Sequence, residues 1–137
     1  MNDLKQIILN RVQCRECGEV LTSYHRHDYK TCGCTNETMI DGGNEYQRYG
    51  GLNLDLVDTS STIYLSDDHE MNRSAAHWGN RGKDGREALS YKSIADMSNA
   101  HIDNIIKYMG GKIVPWMENI LMDEFQYRIT NNITIDD

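Results

Sequence analysis

The chain has 137 residues, 39% of them hydrophobic and 26% charged, with a mean hydropathy of −0.66 and a formal charge of −7. That length admits one domain, or one domain with a small appended module, and the spread of aliphatic and aromatic residues through the whole chain excludes intrinsic disorder. The acidic balance excludes a nucleic-acid binder that works by broad electrostatic attraction.

The charge is unevenly laid out. Residues 51–72 carry five acids and no Lys or Arg, whereas 73–92 carry five basic and two acidic side chains and form the one basic segment, at +3. The longest unbroken apolar run is three residues, as in Ile7-Ile8-Leu9, against the roughly 20 that a membrane helix needs. The opening MNDLKQIILN lacks the basic start and small-residue cleavage site of a signal peptide, so neither a membrane span nor export is expected.

In chain order, Leu4, Ile7 and Ile8 have the spacing of a short amphipathic helix. All four cysteines then fall within 21 residues, as Cys14-x2-Cys17 and Cys32-x-Cys34. Two short pairs separated by a hairpin-length insert bring four thiolates to one ion at little loop-closure cost, which predicts a structural, four-thiolate Zn2+ site. Two disulfides or four free thiols are the alternatives, and reducing conditions inside a cell disfavour the first. A Cys-x-Cys knuckle bends tightly, and Gly33 is the residue that permits it. A closed four-thiolate site leaves no coordination position for water and performs no hydrolysis.

Residues 19–31, between the pairs, have the β-branched and aromatic content of two short strands, with His25 and His27 at i and i+2 on one strand face. Such a pair serves as a second metal site, as a polar face, or as support for the cysteines. A zinc-containing HNH nuclease requires a histidine-bearing helix after the cysteines, and none is predicted there. Asp41-Gly42-Gly43-Asn44 reads as a turn, Glu45–Tyr49 as a strand, and Leu52, Leu54 and Leu56 as the buried side of another, so no helix is expected over 19–65.

The segment from His77 to Arg86 places three glycines and three cations in ten residues. It predicts an exposed loop whose amides, with Arg81, Lys83 and Arg86, attract an anion beside the stacking face of Trp78; the alternative is a solvated loop anchored by that tryptophan. It is no P-loop, because Gly79 to Gly82-Lys83 is two residues too short and Asp84 stands where Ser or Thr would bind magnesium. Leu89–Ile94 reads as the last strand. Ser98 then caps a helix with Ile102, Ile105, Ile106 and Met109 on one face and Gly110-Gly111 as its stop. Pro115 opens a second helix with Met117, Ile120, Leu121 and Phe125 on one stripe and Arg128 one turn beyond. His101 is expected at the surface. The fold class is therefore α+β: a small antiparallel sheet with a zinc-ribbon-like knuckle pair, divided as a β module over 1–50 and a second part over 51–137, closed by two C-terminal helices whose apolar faces are expected to make the protein a homo-oligomer.

From Arg11 to Arg128 the chain resembles a family of small, mostly uncharacterised proteins of bacteriophages and prophages. The residues concerned are Cys14-x2-Cys17, Ser23, His25-Arg26-His27-Asp28, Cys32-x-Cys34, Asp41-Gly42-Gly43, Tyr46 and Arg48 in the first half. In the second they are Trp78-Gly79, Gly82-Lys83-Asp84-Gly85, Tyr91, Asp96-Met97 and Glu124 to Arg128; Asn80-Arg81 stands for the usual Thr-Tyr and Ala88 for a proline. In element order the chain is also similar to phage anti-Thoeris sponges, which sequester cyclic ADP-ribose signals. The family carries no established activity, and the basic segment 73–92 motivates the expected function, a non-catalytic phage counter-defence or host-takeover protein of the host cytoplasm. The basic loop adds the ligand, a phosphate-bearing nucleotide held by Trp78, Arg81, Lys83 and Arg86, with Arg128 closing the site. The alternatives are a zinc-ribbon adaptor that inhibits a host protein and a nucleic-acid-binding regulator using Arg15, Arg26, Lys30 and Arg48. No residue is assigned a catalytic role, because no nucleophile motif is present and the thiols are committed to metal.

Overall fold

The computed structural model describes residues 5–81 and 84–137. The chain divides into two compact units, Asp3–Asp67 and one built on Asp68–Asp137.

In the first unit, β1 (Ile7–Cys14) is the spine. Leu4 lies outside the described residues, and the helical spacing expected at Ile7 and Ile8 loses to the β preference of a branched run that can pair on both edges: Ile7, Ile8, Leu9, Asn10, Val12 and Cys14 are all buried. β1 pairs antiparallel with β2 (Val20–Ser23), Asn10 opposite Ser23 and Gln13 opposite Val20. A second sheet holds β3 (Lys30–Thr31), β4 (Met39–Asp41) and β5 (Arg48–Gly50), in that order. On the free edge of β1 lie β6 (Val57–Asp58) and β7 (Ile63–Tyr64). Val12, Leu21, Ile40 and Val57 form one buried cluster, with Cys32 packed against it.

Residues 19–31 form the two expected short strands, β2 and β3, but the segment between them and the Leu52–Leu56 segment are turns. His25 and His27 do not share a strand face. Residues 24–29 form a turn organised by Asp28, whose carboxylate accepts from the Tyr24 amide (2.9 Å) and from Lys30 Nζ (3.0 Å), and His27 sits at a left-handed φ of 63°. Leu52, Leu54 and Leu56 do not form a half-buried strand either. Asn36 takes the Asn53 amide on its side-chain oxygen and the Leu52 amide on its carbonyl, and Asn53 caps a single 3-10 turn over Leu54–Leu56. Leu52 and Leu54 are consequently exposed. Of the Glu45–Tyr49 strand only the end is extended, as β5.

The loop between β4 and β5 needs its glycines. Gly43 has φ 55°, and a Cβ on it would lie 2.4 Å from the His25 carbonyl carbon, where its amide donates to Ser23 Oγ. Gly18, at φ 80°, has open space around it. We expect Gly43→Ala to lower stability by about 2–4 kcal/mol, from left-handed backbone plus overpacking, and Gly18→Ala by about 1 kcal/mol, from the backbone alone. Urea unfolding of both variants checks this, and equal losses would refute the steric argument.

The second unit opens with a helix that was not expected, α1 (His69–Ala75), nucleated by Asp68, whose Oδ1 accepts from the Met71 amide at 2.9 Å. A separate hairpin follows, β8 (His77–Asn80) with β9 (Ser90–Ser93), so the strand expected over Leu89–Ile94 belongs to a two-stranded sheet of its own and not to the knuckle-bearing sheet. α2 (Asn99–Met109) starts at the Ser98 cap and stops at Gly110, and α3 (Pro115–Asn131) starts at Pro115, as their sequences predict. Ile94, Met97, Ile102, Ile105, Met117, Ile120 and Leu121 are buried. Phe125 is not. At the end of that stripe Glu124 and Arg128 are buried instead, and Met122, Phe125 and Ile129 are exposed.

Candidate metal centre

Cys14 is the last residue of β1, and the chain reverses at once into β2. The Cys14 amide donates to the Glu19 carbonyl (2.9 Å) and the Gly18 amide to the Cys14 carbonyl (2.8 Å), with Cys17 carried inside that turn. Cys32 and Cys34 follow β3 around Gly33, which has φ 70° as its knuckle requires. The turn closes where the Glu37 amide meets the Cys34 carbonyl at 2.9 Å. The two strand pairings thus fix two knuckles facing each other.

All four Sγ atoms lie within 4.8 Å of one another, with Cys14 to Cys34 at 3.6 Å and Cys32 to Cys34 at 3.4 Å. Tetrahedral zinc with sulfur at about 2.3 Å requires sulfur–sulfur edges of about 3.8 Å, so only tenths of an ångström separate these contacts from coordination. All four are free thiols. Four cysteines this close could hold one metal ion, and among the described residues they are the one such grouping of three or more His, Cys, Asp or Glu side chains.

Charge within the cluster is unequal. Cys14 is lowered to about 6, first by the Thr38 hydroxyl and then by backbone amides. Thr38 is itself fully buried, with its Oγ1 held by Asn36 at 2.8 Å. Cys32 is also lowered, chiefly by the Cys34 amide. At Cys34 the Asn36 amide favours the thiolate, but the Cys32 sulfur and burial outweigh it and push the thiol up to about 12. At Cys17 the Glu19 amide is likewise outweighed by burial and by Cys14 and Cys32. Crowded sulfurs do not all ionise unaided, and a divalent cation at their centre is the group that lets them do so.

The expected ligand residues lie in the second unit. Trp78 is half-buried on β8, and Arg81 and Arg86 are exposed in the β8–β9 loop. Lys83 lies outside the described residues. Arg128 is 4% exposed and committed to structure. Its guanidinium donates to Glu124 Oε2 (2.6 Å), Asn99 Oδ1 (2.8 Å) and the Ile94 carbonyl (3.0 Å). Glu124, fully buried, also receives a two-point contact from Arg73 (2.7 and 2.9 Å) and meets His69 Nε2 at 3.0 Å. Arg128 therefore anchors α3 to the start of α2.

His25 and His27 make separate contacts, His25 Nδ1 meeting the Arg26 carbonyl at 3.0 Å. His27 Nδ1 meets the Tyr46 hydroxyl at 3.1 Å, and that hydroxyl donates to Asp41 Oδ2 (3.4 Å), which Arg48 also contacts at 3.0 Å. This polar chain ties the 24–29 turn to the loop between β4 and β5.

Residues 6–51 match a domain of unknown function, DUF7695, and the match contains all four cysteines. No curated protein and no solved structure matches the chain. The domain match and the cysteine cluster together fit an uncharacterised family with a zinc-ribbon-like half.

Proposed function

We propose that the chain is a zinc-stabilised, non-catalytic binding protein, in which Zn2+ on Cys14, Cys17, Cys32 and Cys34 fixes the first unit and the second unit carries the ligand site. The mutual approach of the four Sγ atoms supports the metal most directly. Zinc is favoured over other ions because four thiolates in a closed tetrahedral set suit a soft-tolerant cation with no geometric demand of its own. The role is structural, since no ligand position remains for water or substrate.

The ligand we propose is a phosphate-bearing nucleotide, captured at the β8–β9 loop. Arg81 and Arg86 favour it: both are exposed, and neither side chain has an ion-pair partner among the described residues. Guanidinium groups of this kind bind phosphate through paired, charge-assisted hydrogen bonds. Calorimetry of the zinc-loaded chain against cyclic nucleotides and ADP-ribose isomers tests the reading. A dissociation constant near 1 µM, equivalent to about 8 kcal/mol, is expected for the right ligand. Failure of every one to bind below about 100 µM, or about 5.5 kcal/mol, would remove it.

A further inference from the structure

The β8–β9 hairpin does more than present a loop. Its register sets Trp78 opposite Lys92 and Asn80 opposite Ser90. Alternate residues of a strand share a face, so Trp78, Asn80, Ser90 and Lys92 lie together on one side of the ribbon. Asn80 and Lys92 wall a cavity of about 570 Å3, which is completed by Asp96, Ser98, His101, Asn104 and the segment 135–137. This volume falls within the usual range of small-molecule sites.

The lining is polar and specific in sign. Ser98 is 7% exposed, and its hydroxyl oxygen is fixed by the His101 amide at 3.1 Å. Asp96, Asp136 and Asp137 supply carboxylates, and Lys92 is the one Lys or Arg of the lining. Burial, and then the nearby Lys92, hold His101 below the ordinary histidine range against the pull of Asp137. That lowering favours the neutral imidazole, which donates from one nitrogen and accepts at the other. Three carboxylates against one ammonium repel a phosphate but accept hydrogen bonds from sugar hydroxyls and from the amino groups of a base. The cations that welcome phosphate begin at the next residue after Asn80, with Arg81, and the loop is closed by the Glu87 amide on the Arg81 carbonyl at 2.9 Å.

We propose that this cavity takes the nucleoside part of the ligand, sugar and base, while the phosphates extend along the ribbon to Arg81 and Arg86. The inference rests on the nucleotide reading above and adds to it the subsite that would distinguish a nucleotide from any other phosphate compound. Trp78 shares the ribbon face of Asn80 and is paired across the hairpin with Lys92, which lines the cavity.

The test compares the nucleoside diphosphates ADP, GDP, CDP and UDP with inorganic pyrophosphate on the full zinc-loaded chain. At least one diphosphate is expected to bind tenfold or more tightly than pyrophosphate. His101→Ala and Asn104→Ala should each weaken that nucleotide at least tenfold and leave pyrophosphate unchanged, and Arg86→Ala should weaken both. Amide chemical-shift changes in the unmutated protein give a readout independent of any variant's folding. With the nucleotide they are expected at Lys92, Ser98, His101 and Asn104 as well as in the loop, and with pyrophosphate in the loop alone. Equal affinity for nucleotide and pyrophosphate, or shifts confined to 81–87 with both, would overturn the cavity assignment while leaving the phosphate site standing. Absence of binding by every probe would overturn both.

Discussion

Stripping metal from the full chain with a strong chelator at pH 7 is expected to unfold the first unit and leave the second folded. The comparison of magnitudes decides this. A unit of about 65 residues gains only about 3–5 kcal/mol net from its core, whereas a structural zinc site contributes on the order of 10 kcal/mol. Here the buried aliphatic set of the unit is Ile7, Ile8, Leu9, Val12, Leu21, Ile40, Val57 and Ile63, and β3, β6 and β7 are two residues each. Such strands cannot hold register unaided, and a metal on Cys14 and Cys32 would join the ends of β1 and β3. Cys14→Ser should act like the chelator because Cys14 is fully buried. Cys17→Ser, at the exposed member of the set, should weaken metal affinity with less loss of fold. Backbone NMR of the stripped protein checks the claim: amide dispersion should collapse for residues 5–67 and persist for 68–81 and 84–137. Retained dispersion throughout would refute a structural metal.

Glu124→Ala is expected to be the most damaging single substitution in the second unit, costing about 3–5 kcal/mol, the range for removing one partner of a buried ion pair. Its carboxylate is fully buried and meets Arg73, Arg128 and His69 within 3.0 Å. Deleting it leaves Arg128 buried at 4% exposure without a counter-charge. The double variant Glu124→Leu with Arg128→Met should recover much of the loss, because no buried charge then remains unpaired on α3. The same site sets an acid limit. Burial alone would raise the Glu124 pKa, but hydrogen bonds from Arg73, Arg128 and His69 outweigh it and hold the group below its ordinary value of 4.5. The stabilisation is therefore complete above the unfolded-state value and is lost as pH falls through the lower folded one. Denaturant melts of wild type and Glu124→Gln between pH 7 and 3 should converge as pH drops. A constant gap between them would contradict the assignment.

Much of this was legible in the sequence, and the failures have physical causes. The cysteine spacing gave the knuckles because ligand geometry constrains a short segment, and Ser98, Gly110 and Pro115 gave the limits of α2 and α3 because caps are local chemistry. The Leu52, Leu54, Leu56 alternation misled because side-chain periodicity says nothing of a competing polar anchor, and Asn36, seventeen residues away from Asn53, captures that segment's amides. The His25 and His27 pair misled for a similar reason, since the turn belongs to Asp28. α1 carries a readable signal, Asp68 followed by Glu70 in the first turn, but its seven residues are too few to show a sustained apolar periodicity. The burial of Glu124 was not readable at all. An acid at that position on a helix reads as solvent-facing until Arg73 and His69, about fifty residues earlier, are placed against it. Arg128, expected to close the nucleotide site, turns instead to Glu124, Asn99 and the Ile94 carbonyl, partners distant in the chain or buried with it.

The central claim is that four cysteines hold one zinc ion, and X-ray absorption at the zinc K-edge of the purified chain tests it most directly. The account predicts one zinc per chain with four sulfur neighbours at about 2.3 Å. Nitrogen or oxygen in the first shell, or a chain that binds no zinc when its thiols are reduced, would contradict it.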